Sequence, residues 1–292
     1  MEAIRLEKVT KYYGRSRGVI EIDLSVKKGE FFGFIGPNGA GKSTTIRSLV
    51  GLIGIDSGRG EIFGKEIGKG KPEILENIGY LPSETLFYPG MKVKDVIKLS
   101  AALHRKDCRA EANLLCERLM LDTAKKVQEL SFGNRKKLGI VCALQHNPRL
   151  CILDEPTSGL DPLMQKEFFS ILREKNEKGT TIFLSSHILS EIKNNCSRAA
   201  IIREGRIIAC DSIENLSQTN TKHVTVKGRV DLSKLQGVYD LQYSGDMMNF
   251  LFNGDIGELI ALLSKTEISD LTISEPELET IFMNYYLDGG EK

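Results

Sequence analysis

The sequence predicts an α/β protein, a mixed and largely parallel sheet with covering helices, followed by a smaller α/β domain. Three observations point there. Short apolar runs at residues 31–35, 150–153, 180–185 and 198–202 alternate with segments of helical period, as in a sheet covered by helices. A glycine-rich stretch at 36–44, Gly-Pro-Asn-Gly-Ala-Gly-Lys-Ser-Thr, joins the first run to a helix. The charge balance also shifts near residue 219: residues 219–292 carry 6 Lys and Arg against 12 Asp and Glu, a net of −6 in a 292-residue chain whose total is +1.

Residues 4–9 and 20–26 alternate apolar and polar side chains, as half-buried strands do, with Tyr12, Tyr13 and Gly14 between them. The helix after the glycine-rich stretch is expected to run from Ser43 to about Leu52. A short strand at 60–64 and a strand edge at 78–82, closed by Pro82, follow. From about 84 to 149 the period becomes helical, with Val93, Val96 and Ile97, then Ala112, Leu115 and Leu119, then residues 138–144. This reads as a helical insert, after which the sheet resumes. Beyond the charge shift the pattern is strand at 222–228, 238–243 and 248–252, helix at 255–264, strand at 267–273 and helix from 277. The domains are therefore expected at 1–218 and 219–292.

With 40 basic and 39 acidic side chains, the chain lacks the electrostatic footprint of a nucleic-acid binder. No stretch approaches the roughly 18 apolar residues of a membrane helix, so any membrane partner is expected to be a separate chain. The first residues do not read as a secretion signal. The six cysteines, at 108, 116, 142, 151, 196 and 210, form no Cys-x-x-Cys pair. They read as reduced thiols of a cytosolic protein, with neither a zinc site nor a disulfide framework.

Gly36 and Gly41 bracket Pro37, Asn38, Gly39 and Ala40, and Lys42, Ser43 and Thr44 follow. At this spacing backbone N–H groups curl around a polyphosphate, Lys42 reaches the β and γ phosphates, and the Ser43 hydroxyl takes a position on Mg²⁺. The stretch resembles the P-loop nucleotide triphosphatases. Asp154 and Glu155 end an apolar strand. In such a sheet the first acid holds Mg²⁺ through water and the second takes a proton from the attacking water.

Pro156-Thr-Ser158-Gly-Leu-Asp161 and Leu184-Ser-Ser-His187 complete the set. Together these motifs resemble the ATP-binding subunit of an ABC (ATP-binding cassette) transporter over about residues 2–217. The resemblance implies that Ser158 to Asp161 form the loop between subunits and that His187 contacts the γ-phosphate. It also implies that Tyr13 stacks on adenine, although Tyr12 is an equally plausible neighbour. Leu130-Ser131-Phe132-Gly133-Asn134 occupies the place of the family signature, usually Leu-Ser-Gly-Gly-Gln. Ser131 can cap the following helix, whose exposed N–H groups form a second anion site. The resemblance then implies a head-to-tail dimer in which Ser131 and Gly133 of one cassette close over ATP held by Lys42 of the other.

Two departures stand out. Phe132 replaces a glycine, so a positive φ there would be strained. Ser83 and Glu84 stand where the family has a glutamine contacting Mg²⁺ and the membrane subunit, and the sequence does not choose between them. The run 135–137, Arg-Lys-Lys, reads as the solvated face of a helix. Residues 275–282 resemble the C-terminal extension of ABC-2-type exporter ATPases. The implied protein is an ATPase powering an exporter, with ATP and Mg²⁺ as cofactors, a second cassette and a transmembrane permease as partners, and a place at the inner face of the cell membrane. A regulatory cassette of a heterodimer and a soluble ABC ATPase outside transport are the alternatives.

Overall fold

In the computed structural model, which describes residues 1–14, 16–68, 72–217, 221–228, 230–233 and 235–274, the chain opens with a long antiparallel pair, β1 (Glu2–Tyr13) and β2 (Ser16–Lys27). Both are longer than the alternation suggested, because register shifts along the pair absorb the breaks in pattern. There follow β3 (Phe31–Ile35), α1 (Lys42–Leu49), β4 (Ser57–Ile62), β5 (Lys65–Glu66), α2 (Pro72–Leu75) and β6 (Ile78–Leu81). Helix α1 stops at Leu49, short of Leu52. The helical insert comprises α3 (Val93–Leu103), α4 (Arg109–Arg118), a 3-10 turn (Val127–Glu129) and α5 (Phe132–Leu144). Then come β7 (Leu150–Asp154), α6 (Pro162–Glu177), β8 (Thr181–Ser186), α7 (Leu189–Asn195), β9 (Arg198–Arg203) and β10 (Arg206–Ser212).

Two sheets result. The antiparallel one has the order β2-β1-β4-β5; the larger has the order β10-β9-β3-β8-β7-β6. In the larger sheet every pair is parallel except β9 with β10. The edge strand β10 carries no strong apolar signal, and its half-exposed, alternating pattern escaped the sequence reading. Its local cue was the Glu204-Gly205 turn, where both residues have positive φ, the geometry of a tight hairpin. β3 is buried on both faces, and Phe32 and Phe34 pack on Phe183 of β8 at ring-centroid distances of 5.9 and 5.3 Å. One core cluster joins both sheets through α1: Ile46 and Leu49 lie with Ile22 and Leu24 of β2, Phe34 of β3 and Ile152 of β7. The helix under the glycine-rich loop is therefore held between two sheets, which fixes the loop at its start.

Within the insert, Arg118 of α4 ties that helix to α6 through Glu167 and Glu174, at 2.5 and 2.7 Å. His104, just past α3, stacks on His146, just past α5, with centroids 3.6 Å apart and planes within 8°. The His146 Nε2–H donates to the Ile78 carbonyl at 3.1 Å, which leaves Nδ1 as a buried lone pair without a partner. Burial first, then the neighbouring His104, lowers the His146 pKa to about 4, and burial lowers that of His104 as well. The folded pKa lies below the unfolded one, so the stability tied to neutral His146 is fully present above about pH 6.5 and is lost as pH falls toward 4. Discounted for partial solvent contact, the loss is about 2 kcal/mol. Denaturant titrations at pH 7 and pH 4 should show wild type losing about that much more than His146→Asn, which keeps a donor for Ile78; equal losses would remove the histidine pair as the cause.

A second compact unit starts at Glu214. Helix α8 (Ile213–Ser217) leads to β11 (Lys222–Gly228), β12 (Val238–Ser244), β13 (Met247–Phe252), α9 (Ile256–Leu263) and β14 (Ile268–Ser274). These strands form an antiparallel sheet of order β12-β13-β11-β14, with Val224, Val226, Phe250 and Phe252 packed against Leu259 and Leu263 of α9. Asp255 caps α9 by accepting from the N–H groups of Gly257 and Glu258. The helix expected from 277, and residues 275–282 that carry the exporter resemblance, lie outside the described residues.

Candidate active site

The glycine-rich loop is shaped by what cannot fit. A Cβ on Gly36 would lie 2.4 Å from the Ile202 carbonyl oxygen, so the loop can run close to the sheet only with glycine there. Gly41 has φ 112 and precedes α1 as its N-cap with no side-chain cap. The N–H groups of Lys42, Ser43 and Thr44 thus begin a helix with no intrahelical acceptor and no capping side chain, the arrangement that receives an anion. Pro37, Asn38 and Gly39 are exposed above them, and Ala40 is tucked beneath.

Lys42 is nearly buried, at 6% exposure. Its ammonium donates to the carbonyls of Gly36 at 2.5 Å and Pro37 at 3.3 Å, and pairs with Glu155 Oε1 at 3.2 Å. The other carboxylate oxygen, Glu155 Oε2, lies 2.7 Å from His187 Nδ1. A carboxylate accepts only, so this ring nitrogen donates, from a side chain that is about half exposed. Lysine, glutamate and histidine, 145 positions apart at the extremes, form one chain of contacts across the ends of β3, β7 and β8. Glu155 holds φ 47. A left-handed conformation costs a non-glycine residue about 1 kcal/mol or more, and here it turns the side chain toward Lys42 and His187 at the strand end.

Asp154 is buried at 1% exposure and accepts from Ser185 Oγ at 2.6 Å. The two face each other in the parallel register of β7 and β8. Ser185 was missed in the sequence, where its signal was a serine at the end of an otherwise apolar run. It fixes one oxygen of Asp154 and so orients the other. Ser43, half-buried in the first turn of α1, and Asp154 supply oxygen atoms, the donor type that Mg²⁺ prefers. Among the described residues no group of three or more His, Cys, Asp and Glu side chains is placed to hold a metal. Such a site suits an ion that keeps several waters and takes phosphate oxygens for the rest, as Mg²⁺ does beside nucleotides.

Tyr13 and Tyr12 are both about half exposed at the end of β1. They differ in neighbours. A Cβ on Gly18 would lie 3.2 Å from Tyr13 Cε2, and the Gly18 carbonyl in turn lies 3.2 Å from where a Cβ on Gly41 would be. Tyr13 is thereby linked to the phosphate loop through Gly18, whereas the Tyr12 backbone is engaged by Asp56.

Ser131 caps α5, accepting from the Asn134 N–H at 3.3 Å. Phe132 is the first residue of that helix and is absent from the positive-φ positions, so the strain anticipated at this substitution does not arise. Its ring instead covers Gly159, where an added Cβ would meet Phe132 Cδ1 at 2.2 Å, and Gly133 packs against the Gly159 carbonyl. Asp161 caps α6 by accepting from the Met164 N–H at 3.0 Å, with Pro162 next in line. Signature start and residues 158–161 thus sit together, while Ser131 and Gly133 make no hydrogen bond to the phosphate loop of the same chain among the described residues. The run 135–137 departs from expectation: Lys136 is 1% and Lys137 8% exposed, because α5 turns this face onto the sheet end, not to solvent.

A bare helix start carrying a lysine, opposed by an aspartate–glutamate pair and a histidine on neighbouring strand ends, defines an ATPase of the ATP-binding cassette class. The family model described as ABC transporter matches residues 19–158. The bacitracin transport ATP-binding protein BcrA of Bacillus licheniformis is 35% identical over 294 aligned residues, 96% of each chain. The linearmycin resistance ATP-binding protein LnrL of Bacillus subtilis is 32% identical over 94% of this chain and 84% of its own. A solved ATP-binding subunit of an ABC transporter superposes with TM-score 0.70 at 27% identity, covering 73% of this chain and 91% of that one. The chain belongs to the ATP-binding proteins of ABC transporters, which hydrolyse ATP to drive transport. No helix among the described residues is long and apolar enough to cross a membrane.

Proposed function

We propose that this chain is the motor of an ABC exporter, working at the inner face of the cell membrane beside a separate transmembrane permease, with ATP closed between two copies of the cassette. The observation that carries this is the Lys42–Glu155–His187 chain at the uncapped start of α1. In the assignment, the amides of residues 38–44 and Lys42 hold the phosphates, and Tyr13 stacks on adenine. Ser43 and Asp154 would hold Mg²⁺, which when bound neutralises charge on the phosphates. Glu155 accepts a proton from the attacking water, and His187, oriented by Glu155, meets the γ-phosphate. The relatives named for bacitracin transport and linearmycin resistance support an efflux role.

Ser131 and Gly133 present a capped helix start that does not reach the Lys42 site of its own chain. In the proposed dimer this start closes on the partner's nucleotide, with Asp161 and its neighbours lining the seam. Light scattering during size-exclusion chromatography tests the step. Glu155→Gln protein should elute as a monomer alone and as a dimer with ATP and Mg²⁺, and adding Ser131→Arg should return it to monomer. A monomer throughout, with ATP bound, would rule out self-closure of two copies.

A further inference from the structure

Lys136 has no assigned part in the site, yet it is among the largest fully buried side chains of the molecule. Its ammonium donates to the carbonyls of Ser83 at 2.8 Å and Pro82 at 3.2 Å, and among the described residues no carboxylate lies within ion-pair distance of it. A buried cation held only by two carbonyls is costly, and burial lowers the Lys136 pKa to about 8, with Asp154 and Glu155 pulling the other way. The tie is one of three along the same face of α5. Thr85 Oγ1 donates to the Arg135 carbonyl at 3.3 Å, and a Cβ on Gly139 would press on Thr85 Cγ2 at 2.6 Å and Leu81 Cδ1 at 2.8 Å. Pro82 and Ser83 leave β6 where it runs parallel to β7, in the register Leu81 with Leu153. They therefore emerge beside Asp154 and Glu155. Five residues back along α5, about 7–8 Å by helical rise, is the cap Ser131.

We propose that Lys136 is a positioning residue for ATP hydrolysis: its ammonium pins the Pro82–Ser83 segment to α5, so that the chain beside the Asp154–Glu155 carboxylates and the Ser131 helix start move as one body. The inference rests on the cassette reading above and adds to it a link between the two halves of the site within one chain. A hydrogen-bonding tie of this kind touches neither phosphate nor metal. Its loss should leave ATP affinity alone and lower the rate.

The test measures kcat, KM, ATP affinity and thermal melting for wild type, Lys136→Met, Lys136→Gln and Lys136→Arg. Lys136→Met should bind ATP within about three-fold of wild type and lose kcat by roughly 10- to 100-fold, the scale of a misplaced catalytic group. Lys136→Gln and Lys136→Arg, which keep donors for the carbonyls, should recover a large part of that loss. A kcat within two-fold of wild type in Lys136→Met would overturn the proposal, as would losses in all three variants that track melting temperature. If Lys136→Met does not fold, Lys136→Gln decides: its rate must exceed that of Glu155→Gln while its ATP affinity matches wild type. Failure of the cassette reading itself looks different, since wild-type protein would then show no ATP turnover for any variant to lose.

Discussion

Glu155→Gln is expected to cut ATP turnover by roughly 10² to 10⁴, the contribution of a general base, while tightening ATP binding. The gain in affinity follows from the contacts of Lys42. The Lys42 ammonium is held by Glu155 at 3.2 Å and by two loop carbonyls. To meet the phosphates it must exchange these partners, and the incoming anion must approach the Glu155 carboxylate. Glutamine keeps the shape and removes both the competing charge and the repulsion. Removing this largely buried contact, which lacks a well-formed hydrogen bond, is worth on the order of 1 kcal/mol, so ATP should bind roughly three- to ten-fold more tightly. Single-turnover kinetics and equilibrium titration on the same preparation measure the two effects. Turnover within ten-fold of wild type would take the proton-accepting role away from Glu155.

Lys42→Ala is expected to fail in the opposite sense, with binding and turnover both lost. The substitution removes a charge-assisted donor worth about 1.5–3 kcal/mol, so ATP affinity should fall by roughly 10- to 150-fold. It also leaves Glu155 Oε1, already without a hydrogen bond of good geometry, with no counter-charge beside the phosphates. The turnover loss should therefore exceed the binding loss and reach at least about 100-fold. Isothermal titration and a phosphate-release assay check the pair of effects. Since the two substitutions move affinity in opposite directions, a result in which both weaken binding equally would argue against Glu155 as a competitor of the phosphates for Lys42.

Much of this was legible in the sequence, for identifiable reasons. Short range and strong chemistry make the phosphate loop readable: Gly36 to Thr44 is one contiguous stretch, and its glycines are demanded by clash and φ at Gly36 and Gly41. Asp154 and Glu155 were visible because two acids at the end of an apolar strand conflict with packing. Ser185 and Lys136 were not, because their roles depend on register and on which face of α5 turns inward, neither of which is local. Ser185 reads as an ordinary strand-end serine until β8 is set beside β7. Lys136 reads as a surface lysine until the carbonyls of Pro82 and Ser83 come over it. At Phe132 the sequence raised a concern about φ that the helix start removed, since a first helical residue has negative φ whatever the family's glycine is used for.

The ring of Phe132 over Gly159 has a consequence for how this chain can vary. Gly159 is confined twice, by its φ of 81 and by the ring that fills the space of its missing Cβ. Position 159 is therefore open to other residues only in a chain that has first become small at 132. Substitution at the two positions is ordered: a reduction at 132 must come before any enlargement at 159. The φ of 81 persists after such a reduction, so enlargement at 159 remains strained and glycine is expected there whatever stands at 132. The seam between cassettes is thereby held at 159 and free to change at 132, because both positions lie in the two segments proposed to face the partner.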